Sequence, residues 1–374
     1  MQAIKEIHDV VNDPITYARR LQEQSGKKII GYMCTYAPEE IIHAAGAHPL
    51  RLFGSSKNIL LADGHLQTYC CSLVRGVLED ALAGDLKFLD GMIFPHTCDT
   101  VQRLSDIWRL NVPYGFHLDV VLPVKLDTKS AADYMVDVLN LFRNDLEKSL
   151  QVRITDDDIR KSIVLYNEIR SGLEKVHELN KNNPGIINGK DLSALVRAAM
   201  IMDRNDYWKI LQNVIAELEN KGVIAKATKA RRLIISGGLC SQPDIYHVIE
   251  DAGGVVVGDD LCTGSRYYQG RIKTTGDPVA AIAERYLQRP VCPAKHMDKN
   301  ARATNLVKIA RDSKADGVIF MLLKFCDPHA FDYPYLNEAL AADSIPSLLL
   351  EVEDQPQAQS QLKTRIEAFL ETLS

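Results

Sequence analysis

Eight cysteines carry most of the reactive chemistry in this chain: Cys34, Cys70, Cys71, Cys98, Cys240, Cys262, Cys292 and Cys326. A thiolate can serve as nucleophile, redox centre or soft-metal ligand, and spacing helps to separate these uses. In 374 residues they are too sparse for a disulfide framework, and a reducing cytosol would keep them as thiols. The plain alternative is that they fill the core as small apolar groups. Cys70 and Cys71 are adjacent, so they do not form a redox C-x-x-C. No C-x-x-C pair or H-x-x-x-H spacing is present elsewhere, and the usual zinc patterns are missing. Cysteines scattered in sequence and gathered by folding can hold an iron–sulfur cluster. Spacing alone leaves a cluster, zinc and no metal all open.

What folding can gather depends on the elements between the thiols. Short β-branched runs occupy 27–33, 48–53, 90–96 and 114–121 in the first half, and 231–237, 253–259, 316–322 and 347–352 in the second. Amphipathic stretches such as PEEIIHAAG, DTVQRLSDIWRL and PVAAIAERYLQ lie between most of them. Near-continuous apolar strands separated by helices signify parallel sheets covered on both faces. The expected architecture is α/β, with two four-stranded domains at 1–124 and 229–374, closer to doubly wound sheets than to barrels. Residues 125–228 lack strand patterns and read as a helical connector. Asp157 and Asp158 sit in the first turn of one of its helices, and N-N-P-G at 182–185 separates that helix from the next. The halves share a fragment, D-G-M-I-F-P-H-T-C-D (90–99) and D-G-V-I-F-M-L-L-K-F-C-D (316–327), which suggests an ancient duplication.

On this scheme Cys34 and Cys98 follow the first and third strands of the first half. Cys240, Cys262 and Cys326 follow the first three strands of the second half, Cys70 and Cys71 fall near a helix start, and Cys292 lies in a loop. Open parallel sheets bind ligands outside the carboxyl ends of their strands. These positions therefore point to a soft-metal site in a cleft between domains. Cys98 and Cys326 also precede helices, whose N-terminal dipoles should favour thiolate over thiol.

Composition narrows the rest. Hydrophobic residues make up 46% and charged residues 25%, with a formal charge of −5. That balance argues against nucleic acid or an anionic membrane as the main partner. No run approaches the ~20 apolar residues of a membrane span. The first twenty residues interleave acids and bases without an apolar core, unlike a secretory signal, so a cytoplasmic protein is expected.

The motifs G-Y-M-C-T-Y-A-P-E-E-I-I-H-A-A-G (31–46), C-S-L-V-R (71–75), F-L-D-G-M-I-F-P-H-T-C-D-T-V-Q-R-L-S-D-I-W (88–108), D-A-G-G-V-V-V-G-D-D-L-C-T-G-S-R (251–266) and D-G-V-I-F-M-L-L-K-F-C-D-P (316–328) span nearly the whole chain. Together they resemble the dehydratase components of 2-hydroxyacyl-CoA dehydratases and the cluster-bearing subunits of benzoyl-CoA reductases. The resemblance implies two flavodoxin-like (Rossmann-like) domains and a [4Fe–4S] cluster in the cleft, held by three cysteines with one iron open. Carried over position by position, the ligands would be Cys71, Cys98 and Cys326, with Cys70 the competitor of Cys71. The family also includes double-cubane proteins, whose bridged clusters need about six thiolates. Cys34, Cys240, Cys262 and Cys292 leave room for that alternative. However, C-D-T-V-Q-R-L-S-D-I-W and G-G-L-C-S-Q-P (237–243) look more like the dehydratase and benzoyl-CoA reductase branches.

The implied activity is one-electron reduction of an acyl-CoA thioester. A dehydratase would pass through a ketyl radical and eliminate water to the enoyl-CoA. An aryl-CoA reductase would place the electron in the ring, and a double-cubane protein would reduce small molecules. The implied partners are a separate ATP-hydrolysing iron–sulfur activator and a homologous second subunit or a second copy, in an anaerobic prokaryote. An external donor agrees with the sequence, since no G-x-x-x-x-G-K-[ST] is present and G-I-I-N-G-K-D (185–191) lacks both the spacing and the hydroxyl. No G-x-G-x-x-G opens a helix after a strand, so a bound dinucleotide is not expected.

His96 and His329 flank ligand cysteines and could shuttle protons, or could simply hydrogen-bond backbone. Glu40, with Glu39, follows Pro38 at a helix start, where the dipole alone would favour a carboxylate. Asp259, Asp260 and Arg266 bracket Cys262 and could position the substrate or order the loop, or merely pair with one another. Arg75 and Arg103 read as solvated or paired side chains. Two rivals remain at this level: a non-catalytic electron-transfer iron–sulfur protein, and a metal-free bilobed binding module.

Overall fold

The computed structural model describes residues 2–54, 58–221, 230–238, 245–290, 292–298, 300–352 and 359–373. Two four-stranded sheets form, and every strand pairing in them is parallel. β1 (Ile29–Tyr32), β2 (His48–Arg51), β3 (Gly91–Pro95) and β4 (Phe116–Val120) take the order β2-β1-β3-β4. β5 (Arg231–Gly237), β6 (Gly254–Asp260), β7 (Gly317–Leu323) and β8 (Ser347–Val352) repeat it as β6-β5-β7-β8. The strands of the shared D-G-x-I-F fragment, β3 and β7, hold the same place in each sheet. This is the expected flavodoxin-like pair of α/β sheets.

The strand sequences explain the layering. Every residue of β1, β3 and β7 is buried, so each needs cover on both faces. In the second sheet, Leu233 and Ile319 face a core closed by Ile249 and Ile366. Ile234 and Phe320 face the opposite core with Leu306 and Leu340. In the first sheet, Met92 and Phe94 join a core with Leu195 and Leu211, while Ile30 and Ile93 join one with Met135 and Leu139. That last core also takes Ile282 and Tyr286 from the helix Pro278–Gln288, so a helix of the second half completes the packing of the first.

The helices between the sheets are Lys129–Leu150, Asp156–Asn182, Gly189–Ala199 and Arg204–Asn220, and their starts are written in sequence. The side chains of Thr128, Thr155, Asn188 and Asp203 each accept a backbone N–H of the first turn. Thr155 and Asp158 close a reciprocal capping box. The connector is pinned to the first sheet at β2, where His48 Nε2 lies 2.8 Å from Ile201 O and Arg51 N donates to Met200 O at 3.1 Å.

Two histidines beside this seam are held neutral. Burial, reinforced by the Arg204 charge, pushes His43 down to about 4 and His48 down to about 3. Unfolded histidines titrate near 6.5 and so bind more protons than the folded protein as pH falls. Their stabilising contribution is complete above about pH 6.5 and drains away below it, toward the folded values. Denaturant unfolding should lose up to about 1.4 kcal/mol per pH unit for each histidine in that window. His48→Gln should remove about half of that histidine-dependent slope. An identical slope in the variant would contradict a buried neutral His48.

Candidate functional site

Cys34, Cys71 and Cys98 from the first half and Cys262, Cys292 and Cys326 from the second lie close enough to influence one another's titration. After burial, which is the largest cause, the neighbours Cys71, Cys34 and Cys326 push the Cys98 thiol far up. Burial followed by Cys71 pushes Cys326 up to about 12, with Cys292 and Cys262 acting in the same direction. Burial raises Cys292 too, and Cys34 adds to it. The thiols therefore lie within electrostatic reach of one another, in one network rather than in separate pockets. Cys70 is buried beside them, its thiol raised mainly by burial. Cys240 lies outside the described residues.

Three of the thiols occupy equivalent places. Cys71, Cys98 and Cys326 are the N-cap residues of the helices Ser72–Leu82, Asp99–Asn111 and Asp327–Ala342, and none closes a side-chain capping bond. Ser, Thr, Asp or Asn ordinarily fill that position, because a side-chain oxygen satisfies a free backbone N–H. The N–H groups of Val101 and His329, three residues on, do lower Cys98 and Cys326, but burial outweighs them. The helix starts thus favour the thiolate, as expected, while burial opposes it. Phe325, just before Cys326, has φ 65, a left-handed conformation that is strained for a bulky residue.

Buried cations surround the thiols. Arg51, from the end of β2, reaches across to Cys262, with Nη1 3.3 Å from its carbonyl and Nη2 3.5 Å from its sulfur, while Nε has no partner. Arg266 donates to Gly237 O and stands 3.6 Å from Asp260, but its Nε and Nη1 find no hydrogen-bond acceptor. Arg302 bonds Asp332 at 2.6 Å and Asp260 at 3.0 Å. Lys295 donates to His96 O at 3.1 Å and Leu122 O at 3.3 Å, and burial lowers its pKa. Orphaned donors facing several thiols suit an anionic, thiolate-ligated centre. Among the described residues, no three His, Cys, Asp or Glu side chains could hold a metal ion between them.

The remaining candidates are placed as follows. His96 Nε2 sits 2.8 Å from Asp119 Oδ1. His329 is buried, and burial followed by Arg266 and Arg302 pushes its pKa well down. Neither lines the cleft next to Cys98. Glu40 is fully buried against Arg170, whose charge overcomes the burial penalty and lowers the carboxyl pKa. Asp259 accepts from the N–H groups of Leu261 and Ser265 at 3.0 and 2.7 Å, ordering the loop after β6. Arg75 pairs with Asp63, and Arg103 lies 3.8 Å from Asp99. Sequence reasoning did not find Arg51, Lys295 and Arg302. Lys295 had a faint signal, three residues after Cys292, whereas Arg302 had none.

A cleft of about 1440 Å3 opens onto this network, bounded by Cys98, Lys295 and Arg302 and rimmed by the exposed rings of Tyr69, Phe331 and Tyr335. A space of that size, walled by charged side chains of both signs and rimmed by aromatic rings, suits a ligand larger than a metabolite fragment. No helix among the described residues is long and apolar enough to cross a membrane.

Residues 34–373 match the family described as 2-hydroxyglutaryl-CoA dehydratase, D-component. The chain is 29% identical to the (R)-phenyllactyl-CoA dehydratase beta subunit of Clostridium sporogenes, over 98% of both chains. It is 30% identical to a benzoyl-CoA reductase subunit of Thauera aromatica, an alignment that takes in 96% of this chain and 94% of that one. To (R)-2-hydroxyglutaryl-CoA dehydratase subunit beta of Acidaminococcus fermentans it is 27% identical, over 99% and 98% of the two chains.

The uncapped helix starts generate a test of what the cysteines cost. Cys98→Ser places a hydroxyl where the helix Asp99–Asn111 lacks a cap, so the metal-free variant should be more stable than the parent by about 0.5–2 kcal/mol. Urea unfolding under reducing, chelated conditions measures it. Destabilisation would mean that the sulfur is packed for the fold itself.

Proposed function

Because the chain belongs to the 2-hydroxyglutaryl-CoA dehydratase D-component family, we propose that it is the iron–sulfur component of a low-potential acyl-CoA enzyme. The substrate class we favour is a 2-hydroxyacyl-CoA, dehydrated to the enoyl-CoA, with aryl-CoA reduction the neighbouring alternative on the same frame. The observation that supports this is the equivalent placement of Cys71, Cys98 and Cys326 at three uncapped helix starts, with Cys98 on the wall of the cleft and Cys70 and Asp327, the neighbours of the other two, beside it. These three would hold a [4Fe–4S] cluster, which when bound supplies single electrons at low potential and one open coordination position.

The chain's own residues set the surroundings. Arg51, Arg266 and Lys295 offset thiolate charge, and the low exposure of all three keeps water from the sulfurs. Tyr69, Phe331 and Tyr335 offer flat apolar surface to the bound acyl group or to adenine. The cleft wall carries Asp99, Asp298, Asp327, Asp332 and Glu338 against Arg103, Lys295 and Arg302, and the last two are buried. Coenzyme A brings several phosphate charges, so cations from a second subunit, homologous or identical, would complete the site. With no phosphate-cradling loop in the sequence, the electron would come from a separate ATP-hydrolysing activator.

A specific observation supports a second reading. Cys34, Cys262 and Cys292 join the same electrostatic network as the first three thiols. Six thiols exceed what one cubane needs and would suffice for a double-cubane cluster.

Iron and acid-labile sulfide analysis after anaerobic preparation decides between them. About four irons per chain supports the single cluster, and about eight the double one. Under the single-cluster reading Cys71→Ser, Cys98→Ser or Cys326→Ser should lose the iron, while Cys34→Ser should keep it. A colourless, iron-free protein after anaerobic reconstitution rules out both readings. ATP hydrolysis by the isolated chain would refute the external activator.

A further inference from the structure

Lys295 stands on the wall of the thiol cleft, yet it is only 2% exposed. A buried ammonium loses its hydration and calls for a counter-charge. Among the described residues Lys295 has no carboxylate partner, and its Nζ donates to two backbone carbonyls, His96 O at 3.1 Å and Leu122 O at 3.3 Å. Burial lowers its pKa, and the groups that oppose burial are Cys34, Cys292 and Cys98. The anions within its reach are therefore the thiols themselves. We propose that Lys295 is the fixed counter-charge of the thiolate-ligated centre and sets how readily that centre accepts an electron. This role rests on the iron–sulfur reading given above.

The backbone builds its position. A turn closes from Lys295 N to Cys292 O at 2.8 Å. Just beyond it, His296 N donates to Val124 O and Leu126 N donates to His296 O, both at 2.8 Å. The loop 292–298 of the second half is thereby laid on the segment 122–126 of the first. His96, whose carbonyl accepts from the ammonium, is two residues before Cys98. Charge and sulfur are thus tied to one short stretch of chain.

The other buried cations are committed elsewhere. Arg302 is shared between Asp260 and Asp332, and Arg266 stands between Asp260 and Gly237 O. Arg51 lies against Cys262, which is not one of the three helix-start cysteines. Lys295 is left within electrostatic reach of Cys98 with no carboxylate to cancel its charge. Three thiolates outweigh the positive charge of a four-iron core, and an added electron makes the centre more negative still. That electron passes from a low-potential one-electron donor to the iron, so the donor is oxidised and no proton need move. A positive charge fixed in a low-dielectric wall stabilises the reduced form more than the oxidised one.

The test is a redox titration of the anaerobically reconstituted full-length chain with titanium(III) citrate and mediator dyes, followed by electron paramagnetic resonance. Lys295→Gln, which keeps a donor for the two carbonyls, and Lys295→Met should each be about tenfold harder to reduce at a given donor potential, a shift of about 59 mV to more negative values. Lys295→Arg keeps the charge and should stay closer to the parent than either. Iron and sulfide contents of the same samples separate the two levels of the reading. An iron-free parent overturns the cluster and this role with it. An iron-bearing parent whose potential both neutral variants leave unchanged overturns the role of Lys295 alone. An equal shift in Lys295→Arg does so as well, since shape and not charge would then be responsible. Loss of iron from both neutral variants also overturns it, because the lysine would then be holding the site together.

Discussion

One guanidinium ties the three parts of this molecule together. Arg204 is fully buried at the start of a connector helix, and its Nη2 donates to Glu39 Oε2 and to Pro49 O, both at 3.0 Å. Its Nε donates to the hydroxyl of Tyr166 on the long connector helix at 3.0 Å. From the second half, Tyr267 donates its hydroxyl to the same Glu39 oxygen at 3.3 Å. A buried pair of this kind adds little net stability, but breaking it strands a charge and costs several kcal/mol. Its value is geometric: it fixes how the first sheet, the connector and the second half meet, and the thiol network depends on that meeting. Arg170 against Glu40 repeats the device one residue along.

The placement of the cysteines shows what the fold gives up. A helix start is the cheapest place to aim a side chain out of a sheet edge, because the backbone turns there and the strand behind it is rigid. Three helices use that position for a sulfur that caps poorly. Phe325 holds a left-handed backbone just before one of those sulfurs, and arginines with unfilled donors stand behind them. Each feature is locally unfavourable, and they gather at one place, whereas the four connector helices all start on a side-chain cap.

Much of this could be read from the sequence. The strands could, because runs such as 316–322 are apolar throughout and bounded by turns, which is what a strand buried on both faces requires. The thiol positions followed from the strands, since Cys98 and Cys326 come directly after β3 and β7. The long-range closure could not be read. Nothing in P-V-A-A-I-A-E-R-Y-L-Q says that Ile282 and Tyr286 would pack into the first half, because amphipathicity shows that a face is buried and not against what. Arg51, Lys295 and Arg302 were invisible for a related reason: a charged residue reads as solvated until the fold removes its water. The pull of the helix starts on the thiols was legible because it is local, whereas the opposing desolvation is a property of the assembled cleft.

The cysteines at the three helix starts do not all come from one side. Cys71 and Cys98 belong to the first half and Cys326 to the second, so an inorganic group shared by the three would join the halves a second time. The first join, through Arg204, Glu39 and Tyr267, needs no such group, so the frame that would receive it is already set.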